Sequence, residues 1–137
     1  MNNAKTFKAG KHEYAVTGLS PDKAIDFCTD ATITLAPILN SLEISEGGSI
    51  GDLVRQIIPN LGLLNPERVK KMLADVRSNM ILPNGNLASA EFQYHEWFMQ
   101  NPSELMVSHV KGAITLLKDF FPQELGTILA GVSLSEV

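Results

Sequence analysis

Three histidines, a single cysteine and two glutamates beside an aromatic run are the residues of this 137-residue chain whose types can do chemistry. A metal ion needs several His, Cys or acidic ligands at short, fixed spacing. His12 lies in a turn-like stretch, and His95 and His109 fall on consecutive predicted helices, where they can meet in space. Neither has a Cys or a second His at ligand spacing, so the expectation is two helix histidines, one hydrogen-bonded in the core, and no metal. Cys28 stands between Asp26 and Asp30 with no nearby cation to favour a thiolate, and reads as a small buried hydrophobe. Paired carboxylates can work as acid and base when one is kept protonated. Glu91 and Glu96, however, do not share a helix face and read as solvated. Gly47-Gly48-Ser49 precedes a helical run and can offer backbone N–H groups to an anion, but it lacks the lysine of a phosphate-binding loop. No catalytic residues and no cofactor are expected.

The stretch Phe92-Gln93-Tyr94-His95-Glu96-Trp97-Phe98-Met99 is too aromatic for one helix face. Phe92 and Met99 fall on one side, Tyr94 and Trp97 toward another. Either both sides are buried, or one fills the core and the other is an exposed patch of the kind that recognises partners.

The elements that must position these residues are marked by repeated punctuation. Ser20-Pro21, Asn65-Pro66 and Asn101-Pro102 each place a capping residue before a proline, and an amphipathic run follows. The side chain accepts a bond from an unpaired N–H at the helix start, and proline suits the first helical position. Ser49 and Ser89 open two further runs; Ser49 with Asp52, and Asn101 with Glu104, have the spacing of a capping box. Before these helices, Thr6–Ala9 and Glu13–Val16 flank Gly10-Lys11-His12, which predicts a hairpin packed on the helical body. Pro37 predicts a kink or an early end to the first helix, and Pro59 a disturbance of the second. Asn84-Gly85 marks a turn, either a plain one or one closing a miniature hairpin between Ile81-Leu82 and Leu87-Ala88. Residues 123–132 form a further weak helix on this reading.

Composition limits what such a body does. Hydrophobic residues make up 45% and charged residues 19% of the chain, against about 25% charged in an average domain. A small chain with so little charge is expected to hide apolar surface in a partner or in copies of itself; the alternative is a compact core covered by its plentiful uncharged Asn, Ser, Thr and Gln. The net charge of −4, without a basic cluster, argues against nucleic acid. A lone cysteine suits a reducing compartment. The first residues lack the apolar core of a signal peptide, and no apolar run is long enough to span a bilayer. A cytoplasmic protein is expected, with no membrane partner.

The order of features resembles the tail assembly chaperones of long-tailed bacteriophages. It runs from a short hairpin (TFKAGKHEYAV) to a Ser-Pro helix (LSPDKAIDFCTDATITLAPIL), a middle helical region and a turn (MILPNGNLA). An aromatic helix joined to a long amphipathic one (FQYHEWFMQNPSELMVSHVKGAITLLKDFF) follows, and the resemblance covers about residues 5–121. It implies binding of the long apolar tape measure protein, which such proteins keep soluble in the host cytoplasm while tail tube subunits polymerise around it. It also implies absence from the finished virion and a tendency to form homo-oligomers. A small regulator or adaptor binding a host protein through the aromatic helix is the alternative.

These readings give a mainly α protein, a compact bundle of about five to six helices with a short N-terminal β-hairpin. One domain spans 1–137, with the hairpin at 5–17 and the helical body at 20–130. The expected core includes Ile25, Cys28, Leu35, Leu53, Ile57, Val69, Leu73, Phe92, Val110, Ile114 and Leu117. Tyr94, Trp97, Phe98, Met99 and Met106 lie outside those core stripes and are the candidate partner-binding residues.

Overall fold

A computed structural model describes residues 4–39 and 50–120, and side-chain surroundings within 4–37 and 54–117. The Ser49 cap, the glycine loop before it, the surroundings of Leu53 and the weak helix over 123–132 lie outside the described residues.

Strands β1 (Lys5–Ala9) and β2 (His12–Val16) form the expected hairpin, paired antiparallel from Lys5↔Val16 to Ala9↔His12. Gly10 takes φ +65 at the first of two turn positions, a conformation that favours glycine and matches the twist of a tight hairpin. His12 is thereby the first residue of β2 rather than a turn residue.

Helix α1 (Pro21–Leu39) starts at the Ser20-Pro21 signal and runs through Pro37 to the last described residue of its segment. Pro37 therefore causes no early end. Its buried stripe is Ala24, Phe27, Cys28, Ala31 and Leu35. Ile25, expected in the core, is 66% exposed. At about 100° per residue it falls on the far side of Ala24 from Phe27, and Phe27 fills the space instead.

Helix α2 (Ile50–Ile57) gives way at Ile58 to a 3-10 helix over Ile58–Leu63 that holds Pro59, as the proline requires. Helix α3 (Pro66–Ser78) is capped as its sequence specifies: the Asn65 side chain accepts from the N–H groups of Glu67 and Arg68 at 3.0 and 3.1 Å. Val69, Met72 and Val76 face inward, with Leu73 partly buried.

The segment after α3 becomes a third strand. β3 (Met80–Ile81) pairs antiparallel with β2, and Ile81 also bridges Leu87 across the Asn84-Gly85 turn. The miniature hairpin is thus present, held by Leu82 N–H to the Asn86 carbonyl at 2.8 Å and Ala88 N–H to Met80 at 2.9 Å. The sheet order is β1-β2-β3.

Helix α4 (Glu91–Gln100) begins after Ala90, whose side chain makes no cap; Ser89 does not serve as one. A single 3-10 turn over Pro102–Glu104 leads into α5 (Leu105–Phe120), which packs against the sheet and against α1, α2 and α3. Gly112 makes this possible: a Cβ there would lie 2.7 Å from Val76 Cγ1 and 3.4 Å from Val16 Cγ1, so α3, α5 and β2 meet at that point. One contiguous core joins Tyr14 and Val16 of the sheet to Cys28, Leu35, Ile57, Val69, Val110, Ile114 and Leu117 of the helices. The protein is therefore mainly α with an N-terminal hairpin, extended by one short strand. Among the described residues, no helix is long and apolar enough to cross a membrane.

Candidate functional site

The aromatic helix α4 buries an aromatic inner face, while its outer face sets exposed Phe92 and Met99 among Glu91, His95, Glu96 and Gln100. Its inner face is fixed through polar tips. Trp97 donates its indole N–H to the Tyr14 hydroxyl at 2.9 Å, and Tyr14 in turn donates to Glu104 Oε1 at 2.7 Å. Glu104 also accepts the Lys11 backbone N–H at 3.0 Å and the His12 ring Nδ1–H, 3.0 Å from each carboxylate oxygen. The sequence places Glu104 where a capping box would need it, yet the structure turns it inward, where its side chain is 6% exposed. Asn101 likewise makes no cap and donates its side-chain amide to the Trp97 carbonyl at 2.9 Å.

Buried alone, a carboxylate would be costly. Burial does push the Glu104 carboxyl upward, but the bonds from Tyr14, the Lys11 amide and His12 outweigh it and hold it below the usual range. The same burial, reinforced by the bond to Glu104, raises the Tyr14 phenol. The fit is close on the backbone side as well. A Cβ on Gly10 would sit 2.6 Å from Glu104 Oε2, so the glycine serves both the turn and the carboxylate.

A second polar chain joins α4 to α5. His109 is buried, and its Nδ1 lies 2.7 Å from the Leu105 carbonyl. A carbonyl only accepts, so Nδ1 carries the proton and Nε2 accepts from the Tyr94 hydroxyl at 3.0 Å. Burial lowers the basicity of this imidazole, and Arg77 adds to the effect, although the Leu105 bond opposes it. Arg77 covers the other side of Tyr94, with its guanidinium carbon 3.7 Å from the ring centroid, and bonds the Ala88 carbonyl and Glu91. Phe98 is buried between these two chains, stacked on Tyr14 with centroids 6.1 Å apart and edge-on to Tyr94 at 5.1 Å.

The five candidate partner-binding residues therefore separate. Phe98 belongs to the core, and Trp97 packs against it as the donor to Tyr14; neither lies outside the core. Tyr94 and Met106 line a cleft of about 250 Å³ between α3 and α5, with Leu73, Ala74 and Leu105 as its apolar walls. Met99 is 81% exposed on the opposite face of α4. About two turns away on the same side of α4 stands Phe92, expected in the core but 72% exposed. The reason for the exchange is chemical. The space under α4 is crossed by Tyr14, Glu104 and His109, which need donors and acceptors, and Tyr94 and Trp97 supply them where Phe cannot.

His95 and His109 do not meet: His95 is on the surface, 2.8 Å from Glu91 Oε2. Glu91 and Glu96 are both exposed, as expected of solvated carboxylates. Cys28 is buried and its thiol is pushed up by burial, away from a reactive thiolate. Among the described residues, no three His, Cys, Asp or Glu side chains gather to hold a metal ion. Sequence reasoning missed the role of Glu104; the signal available was a Glu in a short turn with no basic neighbour along the chain. Compared with protein-family models, with curated proteins and with solved structures, the chain matches none of them.

Proposed function

We propose that this protein is a tail assembly chaperone of a long-tailed bacteriophage, a binding protein rather than an enzyme. It holds an apolar helical stretch of the tape measure protein in the host cytoplasm, keeps it soluble, and helps recruit tail tube subunits. The observation that carries the reading is the cleft between α3 and α5. Leu73, Ala74, Leu105 and Met106 give it apolar walls, Lys70 and Arg77 line it with positive charge, and Met106, 36% exposed, gives it an adaptable edge. Clefts of this kind accept one face of an apolar helix through side chains three and four residues apart. Tyr94 and His109 also line it and are bonded to each other, which leaves no polar group between them that a partner must satisfy. The order of sequence features that resembles this family supports the same reading. The ionisable groups beneath α4 are engaged with one another, an arrangement that suits a structural role better than turnover.

The test is co-expression with the tape measure protein of the phage, reading that protein's soluble fraction. The parent chain is expected to keep it soluble. An Ala74→Glu/Met106→Glu variant, folded by circular dichroism, is expected to lose most of that effect. A parent chain that leaves the tape measure protein insoluble sinks the chaperone reading. A folded double variant that still protects it moves the binding surface away from the cleft.

A further inference from the structure

The sheet has an open edge. In the order β1-β2-β3, β1 is an outer strand, and among the described residues no strand pairs with its far side. Register decides which groups it presents there. Ala9 and His12 close the two-residue turn at Gly10-Lys11, so Ala9, Phe7 and Lys5 bond β2, while the backbone groups of Thr6 and Lys8 point the other way. Two observed bonds agree with this alternation. Thr17, one residue past Val16, donates its N–H to the Asn79 carbonyl on the β3 side at 2.8 Å. The Lys8 carbonyl accepts Lys111 Nζ at 2.7 Å from outside the hairpin. We propose that this edge takes an extended acidic segment of another protein as a further strand, with one of its carboxylates seated at Lys111.

An unpaired strand edge is a template for strand addition, in which main-chain bonds supply affinity and flanking side chains supply choice. Thr6 and Lys8 are both exposed, and each offers an N–H and a carbonyl. The choice lies in charge. The chain as a whole carries −4, yet this edge is basic. Lys8 stands opposite Glu13 on β2, so the attraction comes chiefly from the cations beyond the strand. Lys111 of α5 reaches the edge, and among the described residues its side chain bonds the Lys8 carbonyl and no carboxylate. Burial and the nearby Arg55 guanidinium both lower the basicity of its amine, as expected of an ammonium short of negative charge. A carbonyl accepts two bonds, so Lys8 can take a strand N–H while Lys111 turns to an incoming carboxylate. A second copy is a poor occupant, because it would bring its own Lys8, Lys111 and Arg55 against these. Lysine at an edge opposes such pairing, and the same charge favours a strand of opposite sign.

Fluorescence anisotropy tests this with the full chain and a labelled peptide of alternating Glu and Val. No tape measure protein is involved, so the outcome is separate from that of the chaperone reading. The parent is expected to bind the peptide saturably. A version N-methylated at alternate residues keeps the charge but loses the donors, and is expected not to bind; nor is a peptide of alternating Lys and Val. Lys111→Glu is expected to weaken the acidic peptide about tenfold or more, and Lys111→Met repeats the test should the charged variant lose helical content. Thr6→Pro removes a donor from the open edge and leaves the β1–β2 bonds in place, with a similar loss expected. If that variant does not fold, the N-methylated peptide decides the same point. Three outcomes each overturn the proposal. A parent that ignores the acidic peptide leaves the lysines as edge guards only. An N-methylated peptide or a single-stranded oligonucleotide that binds as well makes the strip a general anion surface. Folded Lys111 and Thr6 variants that bind like the parent place the peptide elsewhere.

Discussion

Trp97 and Phe92 are both large aromatics on one ten-residue helix, and the molecule treats them oppositely. Trp97 lies against the sheet with its indole N–H 2.9 Å from Tyr14, while Phe92 is 72% exposed. Hydrophobicity alone does not separate them, since Phe is the more apolar of the two. The difference is the company each keeps. Under the inner face a carboxylate, a phenol and an imidazole already require partners, and a side chain with a polar tip completes that set. The outer face offers only solvent or another molecule. Where an interior is partly polar, an amphipathic aromatic outcompetes a purely apolar one.

Breaking the inner network should therefore have the largest effect. Glu104→Ala leaves the Tyr14 hydroxyl, the Lys11 amide and the His12 ring without their acceptor, and an unfolding midpoint in urea is expected to report a loss of about 3 kcal/mol. A loss under ~0.5 kcal/mol would mean that the cluster is solvated and the contrast between faces is overstated. Tyr14→Phe keeps the ring stacked on Phe98 but removes the link between Trp97 and Glu104. The expected cost is about 1.5 kcal/mol, with tryptophan fluorescence altered in the native state.

A pH series sharpens the comparison further, because its two buried acid–base groups act in separate windows. His109 has a lowered basicity in the folded chain, while the unfolded chain takes up the proton near its ordinary value of about 6.5. Its contribution is fully present above that pH and is lost as pH falls from the unfolded value toward the folded one. Glu104, also lowered, contributes above the ordinary carboxylate range and is lost as pH falls through its folded value. Urea midpoints are expected to drop below about pH 6.5 in the parent, and His109→Gln should flatten that first step alone. A parent curve level down to the carboxylate range would refute the neutral, buried imidazole. The smallest effects belong to the outer face. Phe92→Ser and Met99→Ser are each expected to change monomer stability by less than ~0.5 kcal/mol. A larger loss in dilute solution would show that these side chains pack within their own chain.

What the sequence disclosed follows from the range of the interactions involved. The Asn65 cap, the Gly10 turn and the buried stripe through Cys28 and Leu35 depend on residues a few positions apart, and their patterns were legible. The pairing of β3 with β2 joins segments far apart in the chain, and only its local turn at Asn84-Gly85 was visible. The exposure of Ile25 depends on which of two adjacent faces Phe27 fills, and periodicity did not decide it. Glu104 is the clearest case. Its spacing from Asn101 is that of a capping box, and nothing near it announces that its partners are Lys11, His12 and Tyr14. Of the five candidate partner-binding residues, Met99 and Met106 are exposed and Tyr94 is half-buried at the cleft, while Trp97 and Phe98 turn inward and Phe92, expected inside, faces out.

The bond between Tyr14 and Glu104 spans ninety residues of sequence. An isolated two-stranded hairpin is at best marginally stable in water. The hairpin thus gains its third strand once residues 80–81 have been made, and the acceptor for Tyr14 only when residue 104 has been added. At translation speeds of about 5–20 residues per second, it waits roughly 5–20 s with its apolar side uncovered. During that interval the nascent chain carries an unanchored apolar face, so fast, high-level synthesis is expected to lower the yield of folded protein.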